Sequence, residues 1–354
     1  MLNRYLRWWP ALAFILVLVY PWVYRAPYFH VLGFNVLMYA TMATSWNIMG
    51  GYTGYKSLGH SAFYGLGAYL VALAAVHLGW NPLLSAPLLA LVVALIAVPL
   101  GWIMLRTSGS AFVIATIAML LIFRILALNL KSITNGAPGL SQPLAPWPPA
   151  YSRLPFFYYM LVCLVVALAV SAFIRRSRFG LGLLAIRDDE GKAKMVGVNT
   201  TLYKVLAFAL SAYFVALSGG VWSYATTHIN PVFAFDIVVG VDMILMTMLG
   251  GLGTIWGPVL GAIILIPASD FILFNFGSTS IHLAIFGALM AAVILFVPRG
   301  ILPTLQEWLV SRRVPQAAHE GALSMAEMHD ARSPGALAEE PQPATVDSAG
   351  KVES

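Results

Sequence analysis

Apolar runs of roughly 15 to 20 residues recur along the chain, separated by short polar or Gly- and Pro-rich breaks. Read as helices, they predict ten spans, at about 10–24, 31–49, 61–78, 83–104, 111–130, 156–174, 205–224, 237–249, 257–274 and 281–297. An apolar helix of about 20 residues crosses a bilayer core, whereas the strands of a membrane barrel are alternating segments of about 10 residues. Backbone groups in lipid must be satisfied within the protein, which helices do inside a single segment. The expected fold class is therefore all-α, a polytopic helical membrane protein. The first run follows two arginines as a signal peptide would, but it lacks a small-residue cleavage site and is read as a retained span. Trp8 and Trp9 at one end of it, and Trp22 and Tyr24 at the other, suit an interfacial aromatic belt.

One long polar interruption breaks this pattern, from Arg175 to Lys204. It holds seven of the twenty Lys and Arg residues and three of the fourteen acids. Within it a short helix is expected from about Asp189 to Val196. Asp188 and Lys192 are four apart, as are Glu190 and Lys194, each with the acid N-terminal in the favourable order. Gly197 can close that helix, Asn199 or Thr200 can cap the next span, and Asp236 can cap span eight. Ala193, Val196 and Leu183 or Leu184 supply an apolar side, so the element suits docking at a membrane face. Beyond Arg313 the chain turns rich in Ala, Pro, Glu and Ser, which predicts a disordered tail over 314–354 after a membrane domain over 1–313.

Charge orients the spans. With the N-terminus on the cytoplasmic side, sixteen basic residues fall inside and three (Arg25, Lys131, Arg153) outside, with Arg124 within span five. That asymmetry is the positive-inside pattern, and it predicts ten crossings with both termini cytoplasmic. It also accounts for the net charge of +6 without nucleic acid, since the bases lie beside spans. A single cysteine, Cys163 in mid-span, excludes a disulfide framework.

Two segments carry clustered glycines after an inward-running span: Gly50, Gly51, Gly54, Gly59, Gly65 and Gly67, then Gly250, Gly251, Gly253, Gly257 and Gly261. Such glycines either let helix backbones approach closely or break a helix where it lines a transport path. Gly253, Gly257 and Gly261 are spaced to form one close-packing face. GYTGYKS has the outline of a phosphate-binding loop, but Tyr55 replaces the glycine before the lysine and no strand precedes it. Arg124, Asp242, Asp270 and His60 sit among apolar residues, where charge is costly. For Arg124 and Asp242 two readings stand: a buried pair fixing helix register, or groups lining a solute route. An ion-coupled transporter would use Arg124, Asp242 or Asp270 as a relay. His60 is expected to make local hydrogen bonds, since no second ligand lies at metal-binding spacing. No catalytic constellation is present, so no enzyme activity, metal or cofactor is expected of this chain.

Five co-linear pieces carry a resemblance: GGYTGYKSLGHSAFYGLGAY, RTSGSAFVIATIAM, ITNGAPGLS, RFGLGLLAIRDDEGKAKMVGVNTTLYKVLAFALSAYFVALSGG and DMILMTMLGGLGTIWGPVLGAIIL. They resemble the permease subunits of branched-chain amino acid ATP-binding cassette importers, over most of residues 45–300. The resemblance implies a permease of a bacterial inner membrane that pairs with a second, homologous permease, two ATP-binding subunits and a periplasmic substrate-binding protein. ATP would be bound by those subunits. The 188–197 segment would be the coupling element, related to the signature loop of importer permeases. It would involve Asp188, Asp189, Glu190, Lys192, Ala193, Lys194 and Gly197, with Ala193 and Gly197 in contact and Asp188, Glu190 and Lys194 on the solvent face. Gly191 and Lys192 depart from the family pattern, the usual Gly-Asn-Gly form is absent from ITNGAPGLS, and Asp242 replaces a commoner Glu. These departures widen the expected solutes to urea, amides and other small polar molecules.

Overall fold

The computed structural model describes residues 9–24, 26–147, 153–276, 287–288 and 300–305. The chain divides into a unit ending at Thr304 and a second from Leu305 to Ser354, and every helix from Trp9 to Phe276 belongs to the first. The predicted tenth span and the 314–354 tail lie outside the described residues.

The described helices track the apolar runs closely. They are α1 (Trp9–Val23), α2 (Pro27–Thr53), α3 (His60–His77), α4 (Pro82–Met104), α5 (Gly109–Asn129), α6 (Lys131–Thr134), α7 (Leu154–Arg176), α8 (Arg178–Asp188), α9 (Glu190–Met195), α10 (Thr200–Thr226), α11 (Pro231–Ala234), α12 (Ile237–Gly250) and α13 (Gly257–Phe276). Proline opens α2, α4, α7 and α11, where its missing N–H costs nothing. Asn81, Asn199 and Asp236 cap α4, α10 and α12 by accepting from backbone amides two or three residues on. A two-residue antiparallel ribbon joins β1 (Leu140–Ser141) to β2 (His228–Ile229), with Leu140 opposite Ile229 and Ser141 opposite His228.

Six described segments are long and apolar enough to cross a membrane: α4, α5, α7, α10, the 231–250 stretch that contains α11 and α12, and α13. On α4, Leu84, Leu88, Leu91 and Leu95 are exposed along one helical stripe, as expected of a lipid-facing surface. The three remaining predicted spans described here differ for physical reasons. Helix α1 has only 15 residues. Helices α2 and α3 carry Thr, Ser, Asn, His and Gly because they are wrapped by other helices rather than by lipid, and α2 is buried continuously from Ala40 to Thr53. Helix α10 packs most extensively on α3 and α4 and then on α2, making these four the core.

Two expectations need correction. Gly50 and Gly51 do not break the second span; α2 runs through them and ends at Gly54, which takes the left-handed conformation at φ 79°. The polar stretch after α7 is not a loop holding one short helix, since α8 and α9 occupy most of it. Its apolar residues Leu183 and Ile186 are buried, which supplies the burial that a polar sequence average conceals.

The core depends on close backbone approach. A Cβ on Gly67 of α3 would land on the Ala216 carbonyl of α10, and one on Gly219 of α10 would land on the Tyr64 carbonyl of α3. The contact is reciprocal, so neither helix can retreat from a side chain at one site without opening the other. Gly67→Val is expected to destabilise the bundle by about 3 kcal/mol through overpacking. Gly79→Ala, at an open turn with φ 64° and nothing within 4 Å, should cost about 1 kcal/mol. Thermal unfolding midpoints in detergent should separate the two variants in that order.

Candidate functional site

The polar segment is organised by one carboxylate. Asp189 caps α9 by accepting from the Lys192 amide at 3.0 Å, and this fixes Glu190 as the first residue of the helix. Gly197 ends the next turn, at φ 86°. Glu190 then points into the protein rather than to solvent. Its Oε2 accepts from the Tyr55 hydroxyl at 2.5 Å. Its Oε1 accepts from Lys204 Nζ at 2.9 Å and from the Thr200 hydroxyl at 3.1 Å, and pairs with Lys194 Nζ at 3.1 Å.

Lys204 is the other half of this junction. It lies one turn into α10, only 3% exposed, and spends its three ammonium donors on Glu190, on the Tyr55 hydroxyl at 3.0 Å and on the Leu105 carbonyl at 3.2 Å. A buried lysine needs this full set of partners. Four separate parts of the chain therefore share one charge pair: α9, the start of α10, the end of α4, and the 54–59 connection between α2 and α3. Burial alone would raise the Glu190 carboxyl, but hydrogen bonds from Tyr55, Lys204 and Lys194 outweigh it and hold it at about 2. Burial, and then the hydrogen bond to that carboxylate, push the Tyr55 hydroxyl above its usual value. The Lys192 amide, and then the Lys192 ion pair at 3.4 Å, hold Asp189 below the ordinary carboxylate range.

A second junction joins the two glycine segments. Asn47 of α2 donates to the Thr254 carbonyl at 2.8 Å and accepts from the Gly253 amide at 2.8 Å. Arg187 of α8 donates to the Gly51 carbonyl at 2.8 Å, and a Cβ on Gly253 would sit 2.7 Å from its Nη1. The Gly54, Gly253 and Leu105 connections thus gather at one end of the bundle with α8 and α9, and that end also carries Lys56 and Arg106.

The remaining candidate residues divide clearly. Asp188 ends α8 and is exposed, as are Lys192 and Lys194. Ala193 is 2% exposed and packs against the chain itself, while Met195 and Val196 are 87% and 77% exposed. The expected Asp188–Lys192 pair is replaced by Asp189–Lys192, whereas Glu190–Lys194 forms as expected. Gly59 lies against the Thr116 backbone and Gly65 against the Phe235 ring; Gly250 and Gly257 abut each other, and Gly251 meets Pro303. Gly253 lies in the turn before α13, so it is not on that helix's packing face, whereas Gly261 is pressed on Met246. Among the described residues Arg124 and Asp242 form no ion pair; Asp242 lies near the Tyr39 hydroxyl instead. His60 bonds Ser211 of α10 at 2.9 Å, and no metal-binding cluster occurs among the described residues.

Sequence reasoning missed Tyr55, Arg187, Thr200 and Lys204. One signal was available for Lys204. An Asn199 cap starts α10 at Thr200, which puts the lysine inside a helix and obliges it to find an acid.

A family model described as the permease component of branched-chain amino acid transport systems matches residues 32–297. The high-affinity branched-chain amino acid transport system permease protein LivM of Salmonella typhimurium is 27% identical over 295 residues, covering 75% of this chain and 68% of its own. BraD of Pseudomonas aeruginosa, a permease protein of the same description, is 26% identical over 288 residues, covering 75% and 91%. LivH of Escherichia coli is 31% identical over 142 residues, covering 40% and 45%. No solved structure matches the chain. The matched segment takes in most of α2 and all of α3 to α13, with both junctions, and the chain belongs to the branched-chain amino acid transport permease family.

Proposed function

We propose that this chain is the translocating subunit of an ATP-driven importer for branched-chain amino acids or a related small polar solute. In this reading it spans the bacterial inner membrane ten times with both termini cytoplasmic, and residues 314–354 form a polar tail. It pairs with a second, homologous permease, receives solute from a periplasmic binding protein and is driven by two ATP-binding subunits. Membership of the family supports the class, and relatives named LivM and LivH are permease proteins of systems with the same description. A galactose/methyl galactoside import permease, MglC of Salmonella typhimurium, is 30% identical over 128 residues, so the solute is the part of the reading least tied to the fold.

One observation carries the coupling role. Met195 and Val196 project almost fully exposed from α9, although the helix itself is fastened by Glu190 and Ala193. This is an apolar knob on a rigid mount, at the end of the bundle that gathers basic residues. A lipid-facing stripe would belong to a long apolar helix, whereas α9 has six residues and two lysines. An ATP-binding subunit with an apolar groove and an acidic rim fits such a knob.

Met195→Glu/Val196→Glu should leave the amount of permease in the membrane unchanged, abolish co-purification of the ATP-binding subunit and cut uptake at least tenfold. Gly197→Trp should do the same, because it forces a left-handed residue to carry a bulky side chain beside the knob. Full co-purification in both variants would sink the docking role.

The depressed Glu190 carboxyl also sets a pH window. A carboxylate lowered from 4.5 to about 2 contributes order above pH 4.5 and loses that contribution as pH falls towards 2. Amide exchange at Ala193, Gly197 and Val198, corrected for intrinsic rates, should show constant protection from pH 8 to 5 and loss below about 4.5. Tyr55→Phe removes one lowering bond, so the loss should still begin near pH 4.5 but be smaller and finish at higher pH.

A further inference from the structure

We propose that Tyr55, Glu190 and Lys204 form a clamp that transmits displacement of α9 into the helix bundle, so that they act as positioning residues for transport. The inference rests on the docking role of α9 and goes beyond it, since a knob that only binds a partner needs no charge network behind it.

The geometry supports transmission in three ways. First, α9 is not hinged freely to the bundle. Glu190 opens the helix and is held by donors from α10 (Thr200 at 3.1 Å, Lys204 at 2.9 Å) and from the α2–α3 connection (Tyr55 at 2.5 Å). Second, the held charge is buried on the Lys204 side, and that ammonium has no spare donor, since its others reach Tyr55 and Leu105. If α9 moves and Lys204 does not, a buried ammonium loses its counter-ion, so the two move together. Third, the clamp continues inwards. The Tyr55 ring meets Phe112 edge-on at 5.3 Å; Phe112 meets Phe208 at 6.5 Å; Phe208 meets His60 at 5.4 Å. His60 bonds the Ser211 hydroxyl at 2.9 Å, and the Ser211 carbonyl accepts from Ser45 of α2 at 2.6 Å. Packed rings and bonded polar groups therefore run without a gap from the docking helix to the centre of the four-helix core. The other tether, Arg187 to the Gly51 carbonyl, ends on a neutral backbone group. It leaves no buried charge behind when broken and so exerts less constraint.

The test tracks nucleotide-driven motion and needs no knowledge of the solute. The full chain, assembled with its partner subunits in nanodiscs, carries spin labels in two pairs. Lys192→Cys with Arg106→Cys reports on the docking end. Trp80→Cys with Phe233→Cys reports on α3–α4 and α11, away from it. Distances are measured without nucleotide and with ATP plus vanadate. In the otherwise unaltered protein both pairs should shift. In Glu190→Gln, and in Tyr55→Phe, which deletes a single hydroxyl and spares the fold, the ATP-binding subunit should still co-purify and the docking-end shift should persist. The far-end shift should fall by at least half. An undiminished far-end shift with the subunit bound overturns the clamp while leaving the docking role intact. Loss of the subunit in Tyr55→Phe also overturns it, by making these residues docking contacts. Absence of any far-end shift in the unaltered complex overturns it as well. Failure of the unaltered chain to hold the subunit would instead bring down the docking role itself.

Discussion

A lysine ammonium buried one turn inside α10 is the constraint on which the polar end of this molecule depends. Lys204 cannot be satisfied by lipid or by an apolar core, and removing one partner of such a pair costs about 3 kcal/mol or more. Glu190 supplies the counter-charge, and to do so it must lie at the start of a helix held against the bundle. The Asp189 cap, the Gly197 stop and the buried Ala193 all serve that requirement. The residues left facing outwards, Met195 and Val196, are the remainder of α9 after its inward side has been committed.

The second constraint is the close approach of backbones. Small residues at Gly67, Gly219, Gly250, Gly257 and Gly261 allow α3, α10, α12 and α13 to pack with carbonyls where side chains would ordinarily stand. In a membrane, where apolar burial between helices gains little over lipid, such packing and interhelical hydrogen bonds provide the cohesion. Ser45 to the Ser211 carbonyl, Thr247 to the Ala43 carbonyl and Asn47 to the 253–254 turn are the polar part of it. Helices α2, α3 and α10 can therefore carry many polar residues and still be the most buried helices described. Helix α4 packs on α10 with one face and exposes an apolar stripe with the other, and α5 and α7 are apolar throughout.

Much of this was legible in the residues. Lengths of apolar runs located the helices to within a few positions, because hydrocarbon thickness imposes a minimum length that composition reveals. The Asp236 and Asn199 caps and the Gly197 stop were readable because capping is local. Long-range choices were not. Glu190 has the spacing of a solvent-exposed pair with Lys194, and that pair does form, but nothing in the sequence announces Tyr55, 135 residues away, and the Asn199 cap that puts Lys204 inside α10 does not say that Glu190, 14 residues back, is its acid. The 178–188 segment carries six apolar residues among its eleven, but the arginines and acids around it make the whole 175–204 stretch read as a polar loop. Arg124 and Asp242 have opposite charges in separate spans, a pattern that fits pairing equally well whether or not the helices turn those faces together. They form no pair, and Asp242 lies near Tyr39 instead.

The central claim is that α9 is a docking helix mounted on the Glu190–Lys204 pair. A high-resolution structure of the assembled importer tests it most directly. The account predicts that Met195 and Val196 are buried in a groove of the ATP-binding subunit while Glu190 still bonds Lys204 and Tyr55 within this chain. It would be contradicted by Met195 and Val196 facing water or lipid, or by Glu190 leaving Lys204 to pair with the partner.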